Sequence, residues 1–262
     1  MNQLHAIFHF IRHLLVSNKR GHGIHSPFIY QFVKEVIDSK DHYYIFQSIE
    51  SLRAKLLLTE QKIAVTDLGA GSKTTKNANR SIQSIAKSAL KPKKQAQLLF
   101  RVAKFFQSKV SLELGTSFGL SSLYLSQYNS TNQLYTIEGC PNIAKVAQLN
   151  FEKLKVKNIH SIVGDFSEQL PAILKKLKTV DLVYFDGNHT EEATLNYFET
   201  CFPYIHNETI FIFDDIYWSK GMTAAWKKIK ADTRVKVTVD TYYYGFVFFR
   251  KEQPKEDFTV YH

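Results

Sequence analysis

The chain has 262 residues, 44% of them hydrophobic, which is enough to bury a sizeable core. Its formal net charge of +10 at pH 7 favours acidic or phosphate-bearing partners over basic ones. No stretch approaches the ~20 apolar residues that a membrane-spanning helix needs, and Cys140 and Cys201 show neither a disulfide framework nor metal-site spacing. The composition therefore argues against a membrane-spanning protein and against a disulfide-rich secreted domain, and it predicts a cytoplasmic location.

The first part of the chain has the periodicity of amphipathic helices. Apolar residues at helical spacing predict three helices, at residues 2–16, 27–38 and 47–58. His5, His9 and His13 recur at every fourth position and share one face of the first helix. Such spacing can bind a transition metal, but no cysteine or carboxylate accompanies the histidines. A solvated or partly buried face is therefore the preferred interpretation.

Residues 62–71 imitate a cofactor loop, because they read as a strand followed by D-x-G-x-G. In a dinucleotide fold a ribose-binding acid would follow ~20–25 residues later. The sequence there, at residues 87–92, is basic and has no strand pattern. Residues 67–71 are therefore interpreted as a turn.

A basic stretch covers residues 68–112, which hold ten Lys or Arg residues and no Asp or Glu. A run of this kind can attract nucleic acid, an acidic lipid surface or a phosphorylated substrate. The alternative is a solvated, lysine-rich helical face, since the stretch lacks the interleaved aromatic residues of a base-stacking platform. The sequence leaves both interpretations open.

Residues 110–119 predict the first crossover of a nucleotide-binding sheet. The buried-strand pattern of residues 110–114 runs into a glycine turn, and a helix begins at Gly119. In such sheets ligands bind at the carboxyl ends of the strands. The pattern here is E-x-G-x-x-x-G, in which Glu113 precedes the turn; a carboxylate there repels phosphate but accepts from an ammonium group. That arrangement favours S-adenosylmethionine over a dinucleotide.

Acidic residues also end the next two predicted strands. Glu138 ends the strand at residues 133–138, where a carboxylate accepts hydrogen bonds from ribose hydroxyls; the alternative is a solvated loop acid. Asp165 follows a short strand and can accept from an adenine amino group, with Phe166 packing on the ring. Asp165 can also cap the helix predicted at residues 166–177, and the two roles are compatible.

The rest of the chain continues the alternation of strands and helices. Strands at residues 180–185 and 209–213 are followed by helices at about 190–201 and 218–230. Two further strands, separated by three tyrosines, form a terminal hairpin. The prediction is an α/β, Rossmann-like, mostly parallel sheet of seven strands with a C-terminal antiparallel hairpin.

Five segments in this order resemble class I S-adenosylmethionine-dependent methyltransferases, and are most similar to the branch that includes catechol O-methyltransferase. They are E-L-G-T-S-F-G at 113–119, I-E-G at 137–139, G-D-F at 164–166, D-L-V-Y-F-D-G-N-H at 181–189 and F-I-F-D-D at 211–215. The resemblance implies a helical extension or cap at 1–109, a cofactor-binding domain at 110–250 and a tail at 251–262. It implies these cofactor-binding residues: Glu113, Gly115, Thr116, Ser117, Gly119, Glu138, Gly139, Asp165, Phe166 and Asp186.

The same resemblance implies a metal site and catalytic residues. In metal-dependent relatives an Asp and an Asp-Asn pair at two strand ends hold Mg²⁺, and the matching residues here are Asp186, Asp214 and Asp215. Asp215 departs from the family's Asn, so it either strengthens metal binding or marks a site that uses Asp as a base. His189 is predicted to be catalytic together with Asp186 and Asp214. The alternative is that His189 lies at a helix start that Asn188 or Thr190 caps.

These inferences predict a methyltransferase that acts on an oxygen of a small-molecule acceptor, with acidic and lipid-like acceptors both open. One alternative is an RNA methyltransferase that uses residues 68–112; it is less favoured because the N-P-P-Y motif of base amine methylation is absent. The other is a non-catalytic cofactor-binding protein. The oligomeric state stays open, a homodimer included.

Overall fold

The computed structural model describes residues 3–18, 23–66 and 78–261. Its contacts divide the chain into two compact units, and each is described by itself. Unit A is Lys40–Ile173, and unit B combines Met1–Ser39 with Leu174–His262. The turn predicted at residues 67–71 lies outside the described residues.

Strands and helices alternate between Val110 and Ala231, while helices predominate before this range and strands follow it. The α-helices are α1 (Gln3–Val16), α2 (Pro27–Phe32), α3 (Tyr44–Leu56), α4 (Ile82–Ala89), α5 (Lys93–Phe105), α6 (Leu120–Ser126), α7 (Pro141–Lys153), α8 (Phe166–Leu177), α9 (Glu191–Cys201) and α10 (Lys220–Ala231). The strands are β1 (Lys62–Val65), β2 (Ala78–Ser81), β3 (Val110–Leu114), β4 (Gln133–Glu138), β5 (Ile159–Val163), β6 (Leu182–Phe185), β7 (Ile210–Asp214), β8 (Val237–Asp240), β9 (Tyr244–Phe248) and β10 (Glu256–Thr259). A π-helical turn, Val33–Ile37, continues α2, and a 3₁₀ turn, Phe202–Tyr204, follows α9.

Unit A is built on three parallel strands. β3 pairs with β4 and β4 with β5, while β1 and β2 form a separate antiparallel pair. Pro141 occupies the first turn of α7, where its missing N–H leaves no bond unmade. Apolar faces of α3 to α7 meet in one core that includes Phe46, Phe118 and Phe151. This core supports the turn that follows β3.

Unit B holds the other strands of the central sheet together with α1 and α2. β6 and β7 are parallel, β9 is antiparallel to both β7 and β8, and β10 is parallel to β8. Phe32 of α2 packs edge-on against Phe246 and Phe248 of β9, with ring centroids 5.3 Å apart in each case. Helix α2 therefore packs against strand β9.

The predicted fold class is confirmed: the structure is α/β, with a mainly parallel central sheet, crossover helices and an antiparallel hairpin near the C-terminal end. The central sheet has eight strands rather than seven, because β10 lies in the predicted tail and pairs with β8. The two units divide the chain at neither residue 109 nor residue 250, and a cap formed by residues 1–109 stays a prediction. No helix among the described residues is long and apolar enough to cross a membrane.

Candidate active site

The turn between β3 and α6 depends on left-handed backbone. Gly115 has φ +102° and Gly119 has φ +81°, and Ser117 between them has φ +47°. A Cβ atom built on Gly119 would lie 2.4 Å from Cε1 of Phe151. Glycine at this position therefore satisfies both the backbone angle and the close approach of the ring.

Glu113 lies beneath this turn. Its side chain is fully buried, and its carboxylate accepts hydrogen bonds from Oγ of Ser122 and, at 2.7 Å, from Oγ1 of Thr136. Oγ1 of Thr116 lies 2.6 Å from the same Thr136 hydroxyl. The carboxylate thus ties β3 to α6 and β4. Its predicted contact with an ammonium group stays a prediction.

Glu138, at the end of β4, is held by backbone amides. One carboxylate oxygen accepts from the N–H of Ser117 at 2.9 Å, and the other accepts from the N–H of Cys140 at 3.0 Å. Gly139, which lies between Glu138 and Cys140 in the sequence, is half-buried. A carboxylate has about four acceptor sites in all, two on each oxygen. The prediction that it binds a ribose is compatible with this geometry.

Asp165 caps α8, as one of its two predicted roles requires. Its carboxylate accepts from the N–H of Ser167, in the first turn of the helix, at 2.7 Å. Phe166 is half-buried. The N–H of Gly164 donates to the carbonyl of Glu138 at 3.0 Å and so joins the loops that follow β4 and β5. Binding of adenine by Asp165 and Phe166 stays a prediction.

In unit B, three side chains converge at the ends of β6 and β7. Ligand atoms of Asp186, His189 and Asp214 all lie within 4.8 Å of one another. Nε2 of His189 is 3.7 Å from a carboxylate oxygen of Asp186, and Asp214 is almost fully buried. This group contains the three predicted catalytic residues and two of the three predicted metal ligands. Thr190 is the N-cap of α9, and its Oγ1 accepts a hydrogen bond from the N–H of Ala193. The helix after His189 therefore begins with the cap that the alternative interpretation predicted.

Asp215, the third predicted metal ligand, is not a member of that group. Its backbone is left-handed, with φ +53°, and its N–H donates to the carbonyl of Tyr243 at 2.8 Å. Its side chain lines a cavity of about 450 Å³. The other lining residues are mostly aromatic or aliphatic: Ala6, Ile7, Phe10, Tyr217, Trp218, Tyr242 and Tyr243.

A buried carboxylate supports this cavity from behind. Asp240 accepts from the Tyr217 hydroxyl at 2.5 Å, from Nε1 of Trp226 at 3.1 Å and from the N–H of Tyr242 at 2.9 Å. Burial alone would raise the pKa of Asp240, but hydrogen bonds from His13, Tyr217 and the Tyr242 backbone outweigh it and hold the pKa below its usual value. Sequence reasoning missed the cavity and its support. The only signal for it was the run of tyrosines between β8 and β9.

The three histidines of α1 face the interior of unit B. Nε2 of His5 hydrogen-bonds Oγ1 of Thr223 at 2.9 Å, and the ring of His9 stacks on Tyr217 with centroids 4.7 Å apart. His13 is buried, with Nδ1 3.4 Å from Asp240. The interpretation as a partly buried face is confirmed, and these histidines belong to no candidate metal group among the described residues.

The described part of the basic stretch is only partly a solvated face. Arg101 is buried, and burial lowers the pKa of its guanidinium. Nζ of Lys104 donates to the hydroxyl of Tyr43 at 2.7 Å. The other described cations are mostly exposed, among them Arg80, Lys87 and Lys94. At least one charge of this stretch therefore serves packing within unit A.

Comparison with known proteins identifies the domain. Residues 112–216 match the family described as Methyltransferase domain. The matched residues, less than half of the chain, are similar to that family. The predicted resemblance is thereby confirmed, and the matched range runs from β3 through β7 and includes every predicted cofactor, catalytic and metal residue.

Relatives of the methyltransferase domain are distant. A protein-L-isoaspartate O-methyltransferase of Pyrococcus abyssi (strain GE5 / Orsay) is 34% identical over 74 residues, which are 28% of this chain and 34% of that enzyme. The match therefore spans about a third of the relative's length.

Solved structures share the fold. An O-methyltransferase from Bacillus cereus, in complex with SAH, is 17% identical with a TM-score of 0.55, covering 84% of this chain and 94% of that one. The O-methyltransferase TomG from Streptomyces achromogenes, in complex with SAM, is also 17% identical, with a TM-score of 0.54 and coverage of 62% and 82%. At these identities the likeness supports the fold alone.

Proposed function

We propose that this protein transfers the methyl group of S-adenosylmethionine to an oxygen atom of an apolar, aromatic small-molecule acceptor. The observation that carries the proposal is the carboxylate of Glu138, fixed by two backbone amides beside a left-handed glycine turn within a methyltransferase domain. Two solved neighbours hold SAM or SAH, which supports the choice of cofactor.

The cofactor residues in unit A have complementary tasks. Glu138 would accept from the ribose hydroxyls, and the turn at Gly115 would let the amino acid part of the cofactor approach the backbone. Glu113, buried below, would keep this turn in shape and supply negative potential towards the ammonium group. Asp165 and Phe166 would receive the adenine.

The acceptor would occupy the aromatic cavity of unit B. A volume of about 450 Å³ is in the range of small-molecule sites. Flat aromatic walls favour a planar, apolar acceptor, because stacked and edge-on contacts with rings add to the burial of apolar area. Asp215 places a carboxylate in this wall and would orient a hydroxyl of the acceptor.

A hydroxyl acceptor must lose its proton as the methyl group is transferred. Asp186, His189 and Asp214 supply two carboxylates and an imidazole within reach of one another, so the group can accept a proton. The same donors fit a divalent cation, Mg²⁺ or a transition metal, since carboxylates suit hard ions and imidazole suits softer ones. When bound, such an ion would lower the pKa of the acceptor hydroxyl. We infer that the third ligand is His189, and that Asp215 serves the acceptor instead.

RNA methylation remains the alternative for the exposed cations of the basic stretch. It predicts binding to RNA fragments that weakens steeply as salt is raised. Absence of binding at low salt would eliminate it.

A cytoplasmic location also stays a prediction, supported by two free, buried cysteines.

Calorimetry with S-adenosylhomocysteine tests the cofactor assignment. Glu138→Ala is expected to weaken binding by ~1.5–3 kcal/mol, the range for losing charge-assisted hydrogen bonds. Glu138→Gln, which keeps one oxygen acceptor, should lose less. Glu152→Ala, an exposed acid on α7, is the matched control and should bind like the parent protein. Equal affinity of Glu138→Ala and the parent would mean that the ribose lies elsewhere.

Turnover decides between an enzyme and a non-catalytic binder. Aromatic alcohols, aliphatic alcohols and carboxylates would be offered with labelled S-adenosylmethionine, with and without Mg²⁺ or Mn²⁺. We expect methyl ethers from aromatic hydroxyls. Tight cofactor binding without turnover in any of these classes would favour the non-catalytic alternative.

A further inference from the structure

The first helix, α1, is mounted with its polar side inward. His5, His9 and His13 face Thr223, Tyr217 and the buried Asp240. In addition, Tyr242 donates its hydroxyl hydrogen to the carbonyl of Ala6 at 2.9 Å. These contacts come from several elements of unit B and fix the rotation of the helix about its axis.

That rotation leaves a row of large apolar side chains on the outer face. Leu4, Phe8, Ile11 and Leu15 follow the spacing of one helix face, and they are 79%, 62%, 52% and 80% exposed. Val16 is also mostly exposed. A contiguous apolar face of this kind marks an interaction surface, unlike single exposed apolar residues.

The charge of this region identifies what covers the face. The first 34 residues contain no Asp or Glu, and Arg12 is exposed beside the apolar row. Lys227 of α10 acts electrostatically on His9 together with Arg12, so a second cation lies close by. The acids that face α1 from the rest of unit B are Asp240, which is buried, and Asp215, which is half-buried in the cavity wall. An exposed apolar helix face that carries a cation and no acid of its own is the pattern of helices that lie in the interface of anionic bilayers.

We propose that α1 docks unit B on the surface of a bilayer that contains anionic lipids. The helix has 14 residues, about 21 Å at 1.5 Å per residue, so it would lie in the plane of the interface rather than cross it. A second copy of the chain is a poorer occupant, because symmetric pairing of this face would bring the exposed Arg12 side chains of the two copies towards each other.

The rim of the aromatic cavity continues this surface. Ile7 lines the cavity and is 54% exposed, and Trp218 and Tyr243 line it and are also exposed. Trp and Tyr are the side chains that favour the headgroup level of a membrane. Docking through α1 would therefore place the cavity mouth near the lipid, where an apolar ligand dissolved in the bilayer is concentrated. The docking itself does not depend on methyl transfer.

Vesicle sedimentation with the full chain tests the proposal. We would use vesicles of phosphatidylcholine alone and vesicles with added phosphatidylglycerol. The variant Leu4→Gln/Phe8→Gln/Leu15→Gln should lose at least about tenfold in affinity for the anionic vesicles, because three apolar side chains no longer enter the interface. The matched control, Leu58→Gln/Leu149→Gln, replaces exposed leucines of unit A and should bind like the parent. Arg12→Glu should weaken binding to the anionic vesicles alone.

Binding of S-adenosylhomocysteine and circular dichroism, unchanged in all variants, would show that the folds are intact. The proposal is overturned if the parent protein binds neither kind of vesicle, or if the triple variant binds as well as the parent. It is also overturned if the parent is a dimer that the triple substitution dissociates while neither binds vesicles, since a second copy then covers the face. None of these results bears on whether the cofactor binds at Glu138.

Discussion

Replacing Gly119 by alanine perturbs the cofactor turn at one atom. The new Cβ would meet Cε1 and Cζ of Phe151 at 2.4 and 2.5 Å, and Cβ of Ala147 at 3.3 Å. Side-chain atoms do not approach this closely, so the buried ring must move, and overpacking of this kind costs about 1–3 kcal/mol. The left-handed backbone adds about 1–2 kcal/mol for a residue with a Cβ atom. We therefore expect Gly119→Ala to lower the free energy of unfolding by about 2–5 kcal/mol.

Urea denaturation followed by circular dichroism measures this change. Gly221→Ala in α10 is the control, because its Cβ would meet nothing nearer than 3.5 Å, and alanine there should leave stability unchanged or raise it by up to about 1 kcal/mol. In a Phe151→Leu background, which removes the clashing ring atoms, Gly119→Ala should be less damaging. A loss below about 1 kcal/mol would refute the whole argument, and an equal loss in both backgrounds would refute its steric part.

Three further outcomes follow from unit B. Asp240→Asn should lower the free energy of unfolding by about 3 kcal/mol at neutral pH, as loss of a buried, hydrogen-bonded charge does. Because the pKa of Asp240 in the folded protein lies below its usual value of 3.8, the stabilisation by its charge is present above pH 3.8 and is lost as acid protonates the carboxylate. The free energies of unfolding of the variant and of the parent protein should therefore converge at low pH. Asp214→Asn should weaken Mn²⁺ binding, read by electron paramagnetic resonance, at least about tenfold, whereas Asp215→Asn should leave it nearly unchanged; the opposite order would restore Asp215 as the ligand. Trp218→Ala should raise KM for an aromatic acceptor about tenfold with little change in kcat, and a fall in kcat alone would remove Trp218 from the acceptor pocket.

Features that follow from backbone pattern were predictable from the sequence. The strand Gln133–Glu138 and the helix Phe166–Leu177 have their predicted ends, because turn residues and a buried apolar face define both. The acids at strand ends were found for the same reason: parallel strands deliver their last residues to one edge of the sheet. The backbone pattern alone therefore predicts at which edge of the sheet a strand-end residue lies, but not what its side chain contacts.

Features that depend on distant contacts were not predictable. β10 is short and has no strong alternation, and it is a strand because β8 offers it an edge to pair with. The inward histidines of α1 could not be distinguished from a solvated row, since their partners Thr223 and Asp240 lie more than 200 residues away.

The exchange of Asp215 for His189 in the candidate metal group shows where sequence spacing stops being informative. Two adjacent acids at the end of β7 look equivalent in the sequence, but Asp214 still belongs to the strand while Asp215 has already turned into a left-handed conformation. The hydrogen bond from its N–H to Tyr243 accompanies that turn, and its side chain lines the aromatic cavity. His189 reaches the group from the loop before α9, where Asn188 is left-handed as well. Single φ angles therefore decide which of the candidate ligands meet, and the identity of a side chain does not encode them.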